Sequence, residues 1–168
     1  DYLLGCLPQR VVAVGACHTG TGVENVAYIT VDFGNNLLGH IHVNWLAPVK
    51  VRTMLIGGSK KMVLYDDNEP SEKVRVYDRG VDCAAGESDL EHIYTAMTQY
   101  RVGDMWAPRL DGQEALKVES AHFLDCIEGN KEPITNGEAG LRVVRILAAA
   151  SQSIKDGGKA VLLRSNGE

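Results

Sequence analysis

His40 and His42 stand two residues apart in the run 38–46, and on an extended backbone such residues point the same way. Two imidazoles on one face are half of a metal site. The local sequence offers no third donor except Asp32 on the preceding run, so hydrogen bonding across strands or across an interface is the plainer use of the pair. Gly57-Gly58-Ser59-Lys60 has the look of a phosphate loop. Such a loop needs four residues between its first Gly and the Gly-Lys pair, then a helix whose N-terminal amides face the anion. Here Met62-Val63-Leu64-Tyr65 follows, which is strand composition, and a hairpin turn is expected. Gly20-Thr21-Gly22 opens a G-x-G pattern, but residue 25 is Asn and a strand pattern comes next, which is not a dinucleotide fingerprint.

His18 closes a Val-rich run and opens the Gly-rich loop, which makes it a candidate substrate contact. The segment Tyr100-Arg101-Val102-Gly103-Asp104-Met105-Trp106-Ala107-Pro108 supplies more. Arg101 can grip phosphate or carboxylate in a forked geometry, Asp104 adds a second polar contact, and Tyr100 and Trp106 can stack on rings. A surface loop tied up by its own aromatics fits the same residues equally well. His122 lies beside the apolar face of a helical period and reads as a packed helix residue rather than a base. Cys6, Cys17, Cys83 and Cys126 show no C-x-x-C spacing, so they read as free thiols in a reducing compartment. No catalytic residue, metal ligand or cofactor-binding residue is assigned.

The elements that must hold these residues follow from periodicity. Strands are expected at 10–16, 26–33, 38–46, 51–56, 61–65 and 73–77, with a last short one at 160–163. Ala27, Ile29, Val31 and Phe33 share one face of the second run, while Tyr28, Thr30 and Asp32 share the other. Ile41, Val43 and Trp45 oppose His40, His42 and Asn44 in the third. Gly34-Asn35-Asn36 joins these two runs as a hairpin. Residues 80–110 have no sustained period and form a long excursion. Leu116, Ser120, Phe123, Leu124 and Ile127 then mark a helix capped by Asp111 and Glu114 and stopped by Gly129. Leu141, Val144, Leu147, Ala148 and Ile154 mark a second, with Thr135 and Glu138 as a capping box and Gly157-Gly158 at its end.

Strands followed by helices predict an α+β domain, an open and mostly antiparallel β-sheet with helices on one face. The uncovered face, carrying Tyr28, Thr30, His40, His42 and Asn44, suits a subunit contact that still hydrogen-bonds. The chain is expected to be a single domain over 1–168, with residues 1–7 the tail of a helix that begins upstream. At 168 residues and 45% hydrophobic it is long enough to bury a core. A net charge of −5 argues against a general nucleic-acid binder, and no segment is apolar enough for a membrane span.

In this order, His42-Val43-Asn44-Trp45, Lys50-Val51-Arg52, Ile56-Gly57-Gly58-Ser59-Lys60-Lys61-Met62, Tyr65-Asp66-Asp67, Glu119 with His122-Phe123-Leu124-Asp125-Cys126-Ile127, and Gly140-Leu141-Arg142-Val143-Val144 form a pattern. It resembles the C-terminal domain of the glucose–fructose oxidoreductase/inositol dehydrogenase/rhizopine-catabolism (Gfo/Idh/MocA) family, a fold akin to that of dihydrodipicolinate reductase. Lys61-Met62, Asp66-Asp67 and Gly103-Asp104-Met105-Trp106-Ala107-Pro108 look most like members that act on nucleotide-linked sugars. The resemblance implies a partner N-terminal Rossmann domain binding NAD or NADP, and hydride transfer at a sugar hydroxyl carbon. The family's Glu-Lys-Pro motif and its helix-borne His have no counterpart here.

The expectation is therefore the substrate-binding and oligomerisation half of a cytoplasmic sugar or sugar-nucleotide dehydrogenase. Alone it would bind no cofactor and be inactive, because hydride transfer needs a bound nicotinamide and a base at the hydroxyl. His18, Tyr100, Arg101 and Asp104 would contact the sugar, and the open sheet face would pair subunits. The alternative is a non-catalytic binding or assembly module working through that face.

Overall fold

The computed structural model describes residues 2–81, 100–101 and 103–163. Much of the 80–110 excursion, with Cys83, lies outside the described residues, as do the side chains of Tyr100 and Arg101. The chain forms two compact units, Asp1–Pro48 with Ala115–Glu168, and Val49–Glu114.

The first unit holds β1 (Arg10–Ala16), β2 (Val26–Asp32), β3 (Leu38–Asn44), α1 (Ala115–Gly129), α2 (Gly137–Lys155) and β10 (Val161–Leu162). Its four strands run antiparallel in the order β10-β1-β2-β3. The β2–β3 register sets Tyr28 against His42 and Thr30 against His40, as the alternation requires. Gly34, Asn35 and Asn36 all adopt positive φ (80°, 51° and 61°), and the turn closes with Phe33 N–H donating to Leu37 C=O at 3.0 Å.

Val11, Ala13 and Val31 face inward and meet Ala149 and Ala150 of α2, flanked by Ile29, Phe33, Ile146 and Ile154. Burying Val11 completely stabilises the unit by about 1.5–3 kcal/mol. Ser153 pins the helix to the sheet: its Oγ accepts from Ala13 N–H at 2.8 Å and donates to Lys159 C=O at 2.6 Å.

Of the stripe expected on α2, Ile154 packs against the core but the leucines and valine do not. Leu141, Val144 and Leu147 are exposed, while Ala149, Ala150 and Ser153 pack inward, because small residues let the helix axis approach the sheet. On α1 only Cys126 is buried, and Leu116, Phe123, Leu124 and Ile127 are 56–68% exposed.

The helix ends also correct the sequence reading. Asn136, not Thr135, caps α2, its Oδ1 accepting from Ala139 N–H at 2.9 Å. Gly157 and Gly158 close it as expected, with Gly158 N–H donating to Ser153 C=O and Gly157 N–H to Ile154 C=O. In α1, Gly129 is still helical and Asn130 takes the left-handed position (φ 47°), with Lys131 N–H bonding Cys126 C=O at 3.0 Å. Asp111 lies before that helix, its carbonyl accepting from Gln113 N–H at 2.8 Å.

The second unit holds β4 (Thr53–Gly57), β5 (Met62–Asp66), β6 (Val74–Tyr77), β7 (Gly80–Val81), β8 (Tyr100–Arg101) and β9 (Met105–Trp106). Its main sheet is antiparallel in the order β4-β5-β6-β9, and β7 pairs with β8 as a separate ribbon. The α+β class with antiparallel strands is as expected. Among the described residues the hydrogen-bonded strands fall into two four-stranded sheets, one in each unit, and one two-stranded ribbon. Between β3 and β4 the chain runs through residues 45–52, which include Pro48 and belong to no strand.

Candidate functional site

The sheet face of β2 and β3 that α2 leaves uncovered is an ordered polar and aromatic surface. Tyr28 stacks on His42 with ring centroids 4.5 Å apart and planes 9° from parallel, and His40 lies 6.4 Å from the same ring. Thr30 Oγ1 is 3.2 Å from His40 Nδ1. Asp32 shares this face. Its Oδ2 accepts from Arg10 Nε at 2.7 Å and its Oδ1 from Gly34 N–H at 2.8 Å. The Gly34 amide and then the Arg10 guanidinium hold its carboxyl below the usual carboxylate range. Both its oxygens are thus committed within the sheet. Among the described residues, no three His, Cys, Asp or Glu side chains gather where a metal ion could sit.

The loop after β1 is cross-braced. His18 N–H and His18 Nδ1 both meet Asn25 Oδ1, at 3.2 and 2.9 Å, and Asn25 Nδ2 donates to Thr19 Oγ1 at 3.1 Å. Thr21 Oγ1 sits 3.8 Å from the Cys17 sulfur. That hydroxyl, followed by the Thr19 amide, lowers the exposed Cys17 thiol to about 7. The Gly20-Thr21-Gly22 turn opens onto β2 and not onto a helix. It offers no amide-lined helix end for a pyrophosphate, so these residues do not fit a dinucleotide. Likewise Gly57-Gly58-Ser59-Lys60 joins β4 to β5 as a hairpin, with Gly58 N–H donating to Lys61 C=O at 2.9 Å.

Tyr100, Arg101 and Asp104 belong to the second unit and His18 to the first. Tyr100 pairs with Val81 and Arg101 with Gly80 through their backbones. Asp104 is exposed and its carbonyl accepts from Asp78 N–H at 2.8 Å, which continues the β6–β9 pairing by one residue. Gly103 is required beside it, because a Cβ there would collide with the Asp78 carbonyl. Trp106, on β9, carries the Lys61 ammonium 4.5 Å from its ring centroid.

Sequence reasoning missed three features. Asp67 gathers Tyr65 Oη at 3.0 Å, Lys73 Nζ at 3.3 Å and Arg52 Nη1 at 3.5 Å. The Tyr65 hydrogen bond, then Lys73, pulls its carboxyl down, and the same hydrogen bond raises the Tyr65 phenol. The i, i+2 spacing of Tyr65, on β5, and Asp67, in the turn just after it, was the available signal. In the first unit, a cleft of about 810 Å³ is lined by Tyr2, Cys6, Leu7, Ile134, Thr135 and Val143, and no candidate residue lines it. Finally, His122 is a brace: its Nε2 accepts from Ile134 N–H at 3.2 Å, tying α1 to the segment before α2.

No helix of the described residues is long and apolar enough to cross a membrane. No curated protein sequence matches the chain. Solved structures do match its fold. Aldose-aldose oxidoreductase from Caulobacter crescentus, complexed with glycerol, aligns at TM-score 0.69 and 19% identity over 96% of this chain and 43% of that one. The WlbA dehydrogenase from Bordetella pertussis, in complex with NADH and UDP-GlcNAcA, aligns at 0.64 and 18% over 99% and 41%. UDP-N-acetylglucosamine 3-dehydrogenase GnnA from Acidithiobacillus ferrooxidans aligns at 0.62 and 20% over 90% and 40%. The chain therefore spans less than half the length of these proteins. The family described as "Oxidoreductase family, C-terminal alpha/beta domain" matches residues 1–162. On that match, with the strand order and helices above, this chain belongs to the Gfo/Idh/MocA oxidoreductase family as its C-terminal α/β domain.

Proposed function

We infer that the chain is the substrate-shaping and oligomerisation half of an NAD(P)-dependent oxidoreductase acting on a sugar or nucleotide-linked sugar. The observation that carries this reading is the family match over residues 1–162. It is supported by fold-level likeness to enzymes whose names specify aldoses and UDP-linked sugars. NAD or NADP binds to a Rossmann domain outside this chain, and hydride transfer requires that domain. The chain, acting as a single domain over 1–168 in the cytoplasm, supplies side chains and a subunit contact, and by itself turns over nothing.

His18, Tyr100, Arg101 and Asp104 serve as polar contacts to substrate. The β2–β3 face joins two copies: Tyr28 and His42 are exposed on it, and its charges Arg10 and Asp32 neutralise each other, so like faces meet without repulsion. In the complete enzyme Arg101→Ala raises KM or lowers kcat for the sugar at least tenfold. Unchanged kinetics remove Arg101 from the site. Reduction of NAD by the 168-residue chain alone overturns the division of labour.

The second reading, a non-catalytic assembly module, rests on the same exposed Tyr28–His42 face. Sedimentation of the chain with and without UDP-N-acetylglucosamine separates the two. A dimer indifferent to the sugar nucleotide favours the module.

A further inference from the structure

One side chain of α1 reaches the segment that leads into α2. His122 accepts at Nε2 from the Ile134 N–H, 3.2 Å away. A backbone amide can only donate, so Nε2 must offer its lone pair and the ring proton must sit on Nδ1. The bond thus fixes tautomer and charge together: in this fold the His122 ring is neutral. An imidazolium carries a proton on both nitrogens and has no acceptor to give. Imidazole is also the side chain whose charge changes near neutral pH.

The surroundings offer an imidazolium little in exchange. The ring's other polar neighbour is the Cys126 thiol, its sulfur 3.6 Å from Nε2 and 3.9 Å from Nδ1, a weak partner. On α1, Glu119 and Asp125 stand three residues before and after His122 and are exposed. On the segment beyond, Lys131 is exposed with its stem over Gly129, and Glu132 Oε1 accepts from Asn136 Nδ2. Glu138, in the first turn of α2, is exposed. Among the described residues no carboxylate pairs with the ring. Little else holds residues 132–135 to α1, since Ile134 is 64% exposed and gains little from burial. On either side the chain stays anchored, by Lys131 N–H on Cys126 C=O and by the Asn136 cap. Ile134 and Thr135 line the cleft of about 810 Å³ together with Cys6 and Leu7.

We propose that His122 is a proton-sensitive latch on one wall of this cleft. Neutral, it ties residues 132–135 to α1. Protonated, it releases the Ile134 amide, and the wall that Ile134 and Thr135 form loosens while the rest of the unit stays folded. The test follows the 15N-labelled 168-residue chain by NMR from about pH 7.5 to about pH 5 at constant salt, the range in which imidazoles change charge. The His122 ring nitrogens report tautomer and charge. Exchange of the Ile134 amide, divided by its intrinsic rate at each pH, reports the latch. The Ala13 amide, held by Ser153 Oγ, is the control for global unfolding.

The expected result is a proton on Nδ1 alone at the neutral end, then a loss of Ile134 protection of at least tenfold as the ring takes its second proton, with Ala13 protection unchanged. In His122→Gln, which has no group to titrate there, Ile134 protection no longer depends on pH. A proton on Nε2 at the neutral end overturns the latch. So does a doubly protonated ring with Ile134 protection altered less than about twofold, or a ring that stays neutral to the acid end. A loss shared by Ala13 makes the event global unfolding and overturns the proposal, as does the same pH dependence in His122→Gln.

Discussion

The Tyr28 phenol ring and the His42 imidazole lie flat against each other across two neighbouring strands, 4.5 Å apart and 9° from parallel. A cross-strand aromatic pair of this kind contributes roughly 0.2–1 kcal/mol to the sheet. If the face also joins two copies, Tyr28→Ala should do more to association than to folding. Urea unfolding should register a loss of less than about 1 kcal/mol. Sedimentation should show the dimer dissociating at concentrations at least tenfold higher than for the unaltered chain. An unaltered dimer would remove this face from the contact.

Ser153 is fully buried and links α2 to the middle of β1 and to the turn before β10. Ser153→Ala leaves the buried Ala13 amide without that acceptor. The expected cost is roughly 1–3 kcal/mol, the usual penalty for an orphaned buried donor, read from the urea midpoint at constant slope. Lys159→Ala should do almost nothing, because only its backbone carbonyl is used.

Acid should unfold the protein through three carboxylates held below their usual range. Asp32 is held by the Gly34 amide and Arg10, Asp67 by Tyr65 and Lys73, and Glu69 by Ser71. Each is depressed in the folded state, so the unfolded chain binds more protons in acid and stability rises with pH there. The contribution is complete above about pH 4–4.5, the unfolded carboxylate values, and drains away as pH falls through the folded ones. Asp32→Asn should flatten the dependence of the thermal midpoint on pH below about pH 4 and leave its slope near pH 7 unchanged.

Cys17 should be the quickest of the described thiols to alkylate. It is exposed and lowered to about 7, whereas Cys126 is buried and Cys6 only partly accessible. Peptide mapping after iodoacetamide treatment across a pH series should place its half-maximal rate near pH 7. Thr21→Val removes the principal hydrogen bond and should move that midpoint upward.

How much of this was legible depended on which interaction decided each element. The β2–β3 hairpin was readable to within one or two residues at the strand ends, since period-two alternation and a Gly-Asn-Asn turn set which side chains share a face; Trp45, read as part of β3, lies just past its end and is exposed. The buried side of α2 was not readable. Leu141, Val144 and Leu147 form as regular a stripe as Ile146, Ala149 and Ser153, and size alone pointed to the wrong one. What decides is close approach: alanines admit the sheet, and Ser153 satisfies a strand amide that a leucine would leave bare. Asn136 outcompetes Thr135 as cap because the helix starts one residue later than the Thr-x-x-Glu spacing suggests. The two-residue strands β7, β8 and β9 carry no period at all. The cluster around Asp67 joins residues from 52 to 73, a span that local spacing does not reveal.

The bare leucines and phenylalanine of α1 have a practical consequence for anyone handling this chain. A fully folded sample should already light up an environment-sensitive dye such as ANS, a response ordinarily taken as the mark of a loosened interior. Dye-monitored melting would then start from a bright baseline, and circular dichroism or amide exchange is the sounder gauge of its integrity.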